Sequence, residues 1–588
     1  MVSTLRNWRL ALISVLALGM LPAWAQDHAL TDTPSPDTPQ TEAPSATALS
    51  AELFYDLFVG ELSAMHGDTT NAVALMMEAA RQSQSEQLYQ RAAEMALQSR
   101  SGQVTFMVAN EWQQNFPQSR VANRYLLQIL LMLNRVSESQ DALSREIAWT
   151  PAPAKTSTYL AIAQLYSRVS DKPLAAAVIE QALQADLQNP DIASAAWATI
   201  GHMRLAAKQP ELALQALQYA HQQGPQEGAT ALLALELMEA GYGSAESMVQ
   251  TYMAHSPAPT IQMAYARVLM GQNRNEAAQQ QLTPLLQSNP NMADAWMAQA
   301  SLHAQQSQWQ PALQAVARAE SLLQQIPQPA QREHALAQVY LLGGRVALQQ
   351  RDYAQALDFL EKIPANAQTL SVQSLKAHAL AQQGKLAHGR ALIRAYPAPT
   401  VELQKQKRQA EVALLRDNNA VQEAYLLQRT LLEQSPQDSD IAYETAILAE
   451  RAGKLEVMEK LLKAIIAQHP THHHAFNALG YSYADRGIHL PEAKKLIEQA
   501  LGMAPGDPFI TDSLGWVEFR LGNKSRALEL LEAAYAQRND TEIAVHLGEV
   551  LWSTGNKSRA RSIWRKASEQ DGNNELLRST LERLQVKL

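Results

Sequence analysis

Three stretches near the C-terminal end of the chain repeat one another, and that repetition limits how the chain can bury a core. Phe476, Leu479, Gly480 and Tyr483 are followed by Ala493, Ile497, Ala500 and Pro505. Leu514, Gly515 and Gly522 are followed by Ala527, Leu531 and Ala534, and Gly548, Leu551 and Gly555 by Ala560, Trp564 and Ala567. Ala493, Ala527 and Ala560 lie 34 and 33 residues apart, and the string Gly-Asn-Lys-Ser-Arg-Ala occupies 522–527 and again 555–560. The early positions of each row share one face of a helix, and the later ones share one face of a second helix after a short turn. A glycine on the first helix and an alanine on the second let the two backbones come close, while the large residues fill the space around that contact. A proline beyond them stops the second helix, because it lacks an N–H and clashes with the preceding turn. Such a hairpin cannot bury its apolar face alone, so neighbouring hairpins must stack.

A period near 34 with this order of large, small and aromatic residues is the tetratricopeptide (TPR) pattern. It predicts an all-α fold, a right-handed superhelical solenoid of about 14 helix-turn-helix units. That architecture accommodates 588 residues, far more than one compact core usually holds, because each unit touches only its neighbours. Fainter rows begin with Val59, Gly60, Gly67, Ala72, Met76 and Ala79, and the strongest in the N-terminal half is Trp197, Ile200, Gly201, Arg204, Ala213, Leu217, Ala220 and Pro225. Trp197 and Trp296 stand where the repeat needs bulk and are expected in the core. The register is weak over 86–150, 227–257 and 365–438. Ile326-Pro327-Gln328-Pro329 forbids a continuous helix, so the expected arrays are 51–325 and 330–572, with a capping helix at 573–588.

Ahead of the arrays, residues 1–25 read as a secretory signal peptide. Arg6 and Arg9 precede an apolar run from Leu10 to Leu21, and Ala23-Trp24-Ala25 gives a small-x-small site with cleavage before Gln26. Residues 26–50 hold Pro34, Pro36, Pro39 and Pro44 among acidic and hydroxyl residues with no Lys or Arg, the composition of a disordered linker. The chain has no cysteine, which excludes disulfides, thiolate catalysis, cysteine–zinc sites and a lipid on cysteine. The expected location is therefore periplasmic and soluble, with no cysteine for lipid anchoring; a leader kept uncleaved as an N-terminal anchor is the alternative.

Chemistry is sparse. A net charge of −8 without a cluster of Lys and Arg excludes nucleic acid as the main partner. There is no phosphate-binding loop, nucleophile elbow or H-E-x-x-H motif, so no catalytic residue, cofactor or metal site is expected and the chain reads as non-enzymatic. His469, His472, His473 and His474 cannot all point one way on a helix and read as a solvated helix start. The functional candidates are the residues at the inner positions of the first helices. These are His474, Asn477 and Tyr481, then Phe509, Asp512, Trp516 and Phe519, then Glu549 and Trp552. Aromatic groups on a groove wall are the usual anchors for a polypeptide, although packing of Trp516 and Phe519 between units is an equal alternative. Asn477 and Tyr481 do not reproduce the Lys and Asn of the carboxylate clamp in chaperone-binding TPR domains.

The strings Asn477-Ala478-Leu479-Gly480-Tyr481, Asp512-Ser513-Leu514-Gly515-Trp516-Val517 and His546-Leu547-Gly548-Glu549-Val550-Leu551-Trp552 go beyond the generic repeat. In them the chain resembles the bacterial cell-envelope TPR proteins typified by the lipoprotein partner of a carboxyl-terminal processing protease. The likeness is distinctive over about 440–570. It implies a periplasmic scaffold that wraps a serine protease, assembles or activates it, and presents substrates such as cell-wall hydrolases. The missing lipid-bearing cysteine departs from that type. An assembly factor for envelope polysaccharide or outer-membrane machinery is the alternative reading.

Overall fold

The computed structural model describes residues 50–588 apart from 100, 256 and 573, so the expected signal peptide and nearly all of the expected linker lie outside the described residues. Among the described residues there are 31 α-helices and no strands. They form two compact units, which divide between Gln306 and Ser307. That division falls one helix before the Pro327–Pro329 break. The reason is local: Glu320, on the helix Trp309–Leu323, accepts from the Tyr340 hydroxyl at 3.1 Å and lies 3.8 Å from the Lys362 ammonium, both in the second unit. The break itself is a turn, and Pro329 opens the helix Pro329–Gln349 at its first position, where the missing N–H is no loss.

Within each unit successive helices fold back on one another as antiparallel pairs. In the first unit Ala51–Met65 pairs with Thr69–Ser83, and Ala193–Ala206 with Pro210–Gln223. In the second, His473–Arg486 pairs with Leu490–Met503, Pro508–Arg520 with Lys524–Gln537, and Thr541–Ser553 with Lys557–Gln570. This is a TPR solenoid architecture in both units. The weak stretches at 86–150, 227–257 and 365–438 are also helical. Pro225, Pro290, Pro470 and Pro505 each fall two residues past the end of a second helix. Gly522 and Gly555, at the head of the duplicated string, turn the chain with φ of +93° and +91°, a conformation in which a Cβ would clash. The last helix is Glu575–Arg583.

The close approach expected within a hairpin is present in the three C-terminal ones. A Cβ on Gly480 would lie 2.9 Å from the Ala493 carbonyl oxygen and 2.6 Å from Ile497. One on Gly515 would lie 2.7 Å from Leu531, and one on Gly548 would run into the indole of Trp564. Ala493, Ala527 and Ala560 are completely buried. Trp564 is as well, with Nε1 donating to the Val545 carbonyl at 3.3 Å.

Trp197 and Trp296 correct the sequence reading, since both are only half-buried. Ala196 and Ile200 already fill the interior beside Trp197. Its ring instead lies over Tyr219, with centroids 4.6 Å apart, while Trp296 Nε1 donates to the exposed Pro290 carbonyl at 2.9 Å.

Gly548→Ala is expected to destabilise the second unit by about 1–3 kcal/mol, because the buried Trp564 ring has no room to retreat. Gly502→Ala, on a helix where a Cβ would meet nothing within 4 Å, should be neutral or stabilising by up to about 1 kcal/mol. Urea denaturation of the two variants measures the contrast. Equal midpoints would mean that the Gly548–Trp564 contact does not set the hairpin.

Candidate protein-interaction wall

The first helices His473–Arg486, Pro508–Arg520 and Thr541–Ser553 lie side by side in the second unit. Gly480, Gly515 and Gly548 face their own second helices. The next residue round each helix, Tyr481, Trp516 and Glu549, is rotated by about 100° and leaves that interface. Side chains on this neighbouring face converge on His546. Its Nδ1 lies 3.0 and 2.9 Å from the two carboxylate oxygens of Asp512, and its Nε2 lies 3.2 Å from the Tyr481 hydroxyl. Trp516 stacks on the imidazole, with centroids 4.4 Å apart and planes 21° from parallel.

Tyr481 and His546 belong to alternate hairpins, 65 residues apart. The Pro508–Arg520 helix stands between them, so they can meet only across its inner side. The row of first helices therefore curves, and this is its concave face. With Nδ1–H donating to Asp512, neutral His546 accepts from the Tyr481 hydroxyl, while the protonated ring donates to it. Burial disfavours the imidazolium. The Asp512 carboxylate, with Glu542 and Asp485 beyond it, outweighs that, and the His546 pKa is raised above its ordinary value. Burial and the surrounding carboxylates push the Tyr481 phenol up.

The nine sequence candidates do not form one exposed patch. Tyr481, Asp512 and Trp516 meet at His546, and Trp516 is only 4% exposed. Phe519 is half-buried against the Trp516 ring at 5.4 Å. Asn477 is half-buried, and its Oδ1 has no hydrogen-bond partner among the described residues. His474 is exposed beside His473, and the Arg538 guanidinium sits 5.0 Å from the Phe509 ring. Glu549 is buried and ion-paired with Arg583 of the last helix at 2.6 Å. Trp552 is half-buried beside Trp564 at 5.8 Å, with Lys557 and Arg561 over its ring at 4.9 and 5.2 Å.

His546, at the centre, is not among the sequence candidates. It lies 34 residues after Asp512, whereas these two rows are 33 apart at their glycines. That one-residue offset takes it off the inner positions. In the histidine run, His472 caps its helix by accepting from the Ala475 N–H at 3.1 Å. Among the described residues no group of three or more His, Cys, Asp or Glu is placed to hold a metal ion.

Stacked helical hairpins with a concave first-helix wall define the class, and comparison with known proteins gives it detail. Residues 264–328 and 513–575 match the tetratricopeptide repeat family. The chain is 38% identical over 137 residues to the TPR repeat-containing protein PA4667 of Pseudomonas aeruginosa, a match spanning 23% of this chain and 23% of that relative's length. Similar solved structures include TTC0263, a TPR protein of Thermus thermophilus, at 22% identity over 31% of this chain and all of that one, with a TM-score of 0.29. The Cut9–Hcn1 hetero-tetramer of the APC/C aligns at 13% identity over 91% of this chain and 96% of that one, with a TM-score of 0.33. A TPR protein from Parabacteroides merdae aligns at 16% over 42% of this chain and 98% of that one, with a TM-score of 0.34.

Because Trp516 is packed, Trp516→Ala is expected to remove about 3–5 kcal/mol of stability from the second unit. Phe519→Ala, being half-exposed, should remove less than half of that. Chemical denaturation followed by far-UV circular dichroism gives both numbers, and an unchanged midpoint for Trp516→Ala would contradict its placement against His546.

Proposed function

We propose that this chain is an exported, non-enzymatic scaffold that holds other polypeptides along the concave first-helix wall of its second unit. The observation that carries the reading is the bridge from Tyr481 to His546 across the Trp516 helix. It makes the wall concave and orders its side chains before any partner arrives, which lowers the entropy lost on binding. Phe519 and Trp552 offer partly exposed aromatic surface on the same first helices. Groups of this kind, half-buried and rigidly backed, are the usual hot spots of protein interfaces.

The partner we assign is a periplasmic serine protease of the carboxyl-terminal processing type, together with cell-wall hydrolases delivered to it as substrates. Support comes from the distinctive strings at 477–481, 512–517 and 546–552, which lie on the three first helices of this wall. Export is supported by the leader-like composition of residues 1–25. Among the described residues no helix is long and apolar enough to cross a membrane.

The test is direct binding of the purified protein to a purified protease of that type, with one candidate hydrolase added. Phe519→Ala combined with Trp552→Ala is expected to weaken binding by at least about tenfold, which is about 1.4 kcal/mol, while the helical signal and melting of the chain show that it stays folded. Undiminished binding by the folded double variant would remove the wall from the interface. Absence of any binding by the unaltered chain would remove the protease as partner.

A further inference from the structure

The buried cluster on the concave wall carries an inference about regulation, which rests on that wall being where a polypeptide is held. His546 is 2% exposed and joins all three first helices: its own, the second through Asp512 and the third through Tyr481. Asp512 is itself buried. A contact between alternate hairpins is unusual in a solenoid, where each unit ordinarily touches only its neighbours. Here it fixes the distance across two hairpin steps at once.

We propose that Asp512, His546 and Tyr481 form a proton-controlled clasp that sets how tightly the three C-terminal first helices close around a bound polypeptide. With His546 protonated, the ring is ion-paired to Asp512 and donates Nε2–H to the Tyr481 oxygen, so both ends of the clasp are held by a charged donor. With His546 neutral, the ion pair is lost, and the Tyr481 contact survives only if the phenol turns its own hydrogen towards Nε2. Hydrogen bonds from a charged group are roughly twice as strong as neutral ones, so deprotonation loosens the closure.

The groups around the ring set the balance. The Pro508–Arg520 helix contributes Asp512 and also Arg520, which donates to the Asp485 carbonyl at 2.6 Å and lies 5.8 Å from the Trp516 ring. The His473–Arg486 helix contributes Tyr481 and Asp485. On its own helix stand Glu542 and Glu549, the latter neutralised by Arg583 of the last helix. Lys557 and Arg561, on the following helix, are engaged at the Trp552 ring. The net field of carboxylates favours the imidazolium against its burial, and the folded-state pKa lies above the ordinary value of 6.5. The sign follows: the clasp's contribution is complete below 6.5 and is lost as pH rises through the raised folded-state pKa.

Trp516 reports the state of the ring directly, since a stacked imidazolium quenches indole emission more strongly than neutral imidazole. In the full chain, Trp516 emission, obtained by subtracting the spectrum of Trp516→Phe, is expected to rise with a single midpoint above pH 6.5. Amide protection in His473–Arg486 and Thr541–Ser553, corrected for the intrinsic rise of exchange with pH, should fall over the same range. His546→Gln should flatten both signals. Tyr481→Phe, which removes the oxygen that favours the imidazolium, should lower the emission midpoint and abolish the exchange change in His473–Arg486. A flat Trp516 signal, a titration that persists in His546→Gln, or an exchange change that survives Tyr481→Phe overturns the clasp. None of these readouts uses a partner, so they stand apart from the binding test of the wall itself.

Discussion

The three C-terminal hairpins are held by one short-range contact, the near touching of backbone on a first helix with backbone or a side chain on a second. Gly480 against Ala493, Gly515 against Leu531 and Gly548 against Trp564 leave no volume for a Cβ. Once two helices are that close, the remaining faces of each have fixed assignments. One meets the neighbouring hairpin, one meets solvent, and on the first helix one turns inward. Bulk is driven to the stacking interface, where Leu479, Tyr483, Leu514 and Val517 belong to one continuous buried cluster. The core is thus extended hairpin by hairpin, and length adds to it without thickening it.

This contact was legible in the sequence because it leaves a mark in composition: a glycine, an alanine at fixed distance, a proline beyond. Where the register faded, the structure gives the reason. Polar residues occupy buried positions and are met by specific partners. Asn123 is completely buried and donates to the Ala142 carbonyl at 2.8 Å, and Glu146 holds both Arg120 and Arg124. Ser194 and Thr230 pair their hydroxyls at 2.8 Å, and buried Glu411 receives Arg390 at 2.9 Å. Each such pair breaks the apolar periodicity without breaking the fold, because a buried polar group with its hydrogen bond made costs little.

The wall was legible only in part. Tyr481, Asp512 and Trp516 follow from their positions in the repeat, and they do lie together. Whether an inner aromatic is exposed or packed depends on how sharply the row of helices bends, and bending belongs to the stack, not to one repeat. Trp516 is covered because the bend brings His546 over it, while Trp197 is left half-open because the bulk its position calls for is supplied by smaller neighbours. A pattern read along one hairpin holds neither fact.

The same distinction bears on why an ionisable pair is buried here at all. Burying Asp512 and His546 costs desolvation that apolar residues of similar size would avoid, so such a pair is weak evidence of stability. Apolar contacts, however, are non-directional and tolerate one hairpin sliding or tilting against the next. Hydrogen bonds to both ends of an imidazole do not. Tyr481, His546 and Asp512 therefore fix an angle where Gly480, Gly515 and Gly548 fix a distance. In a ribbon whose curvature is otherwise the sum of many small and adjustable steps, a directional bridge across two of them holds the shape of the inner wall.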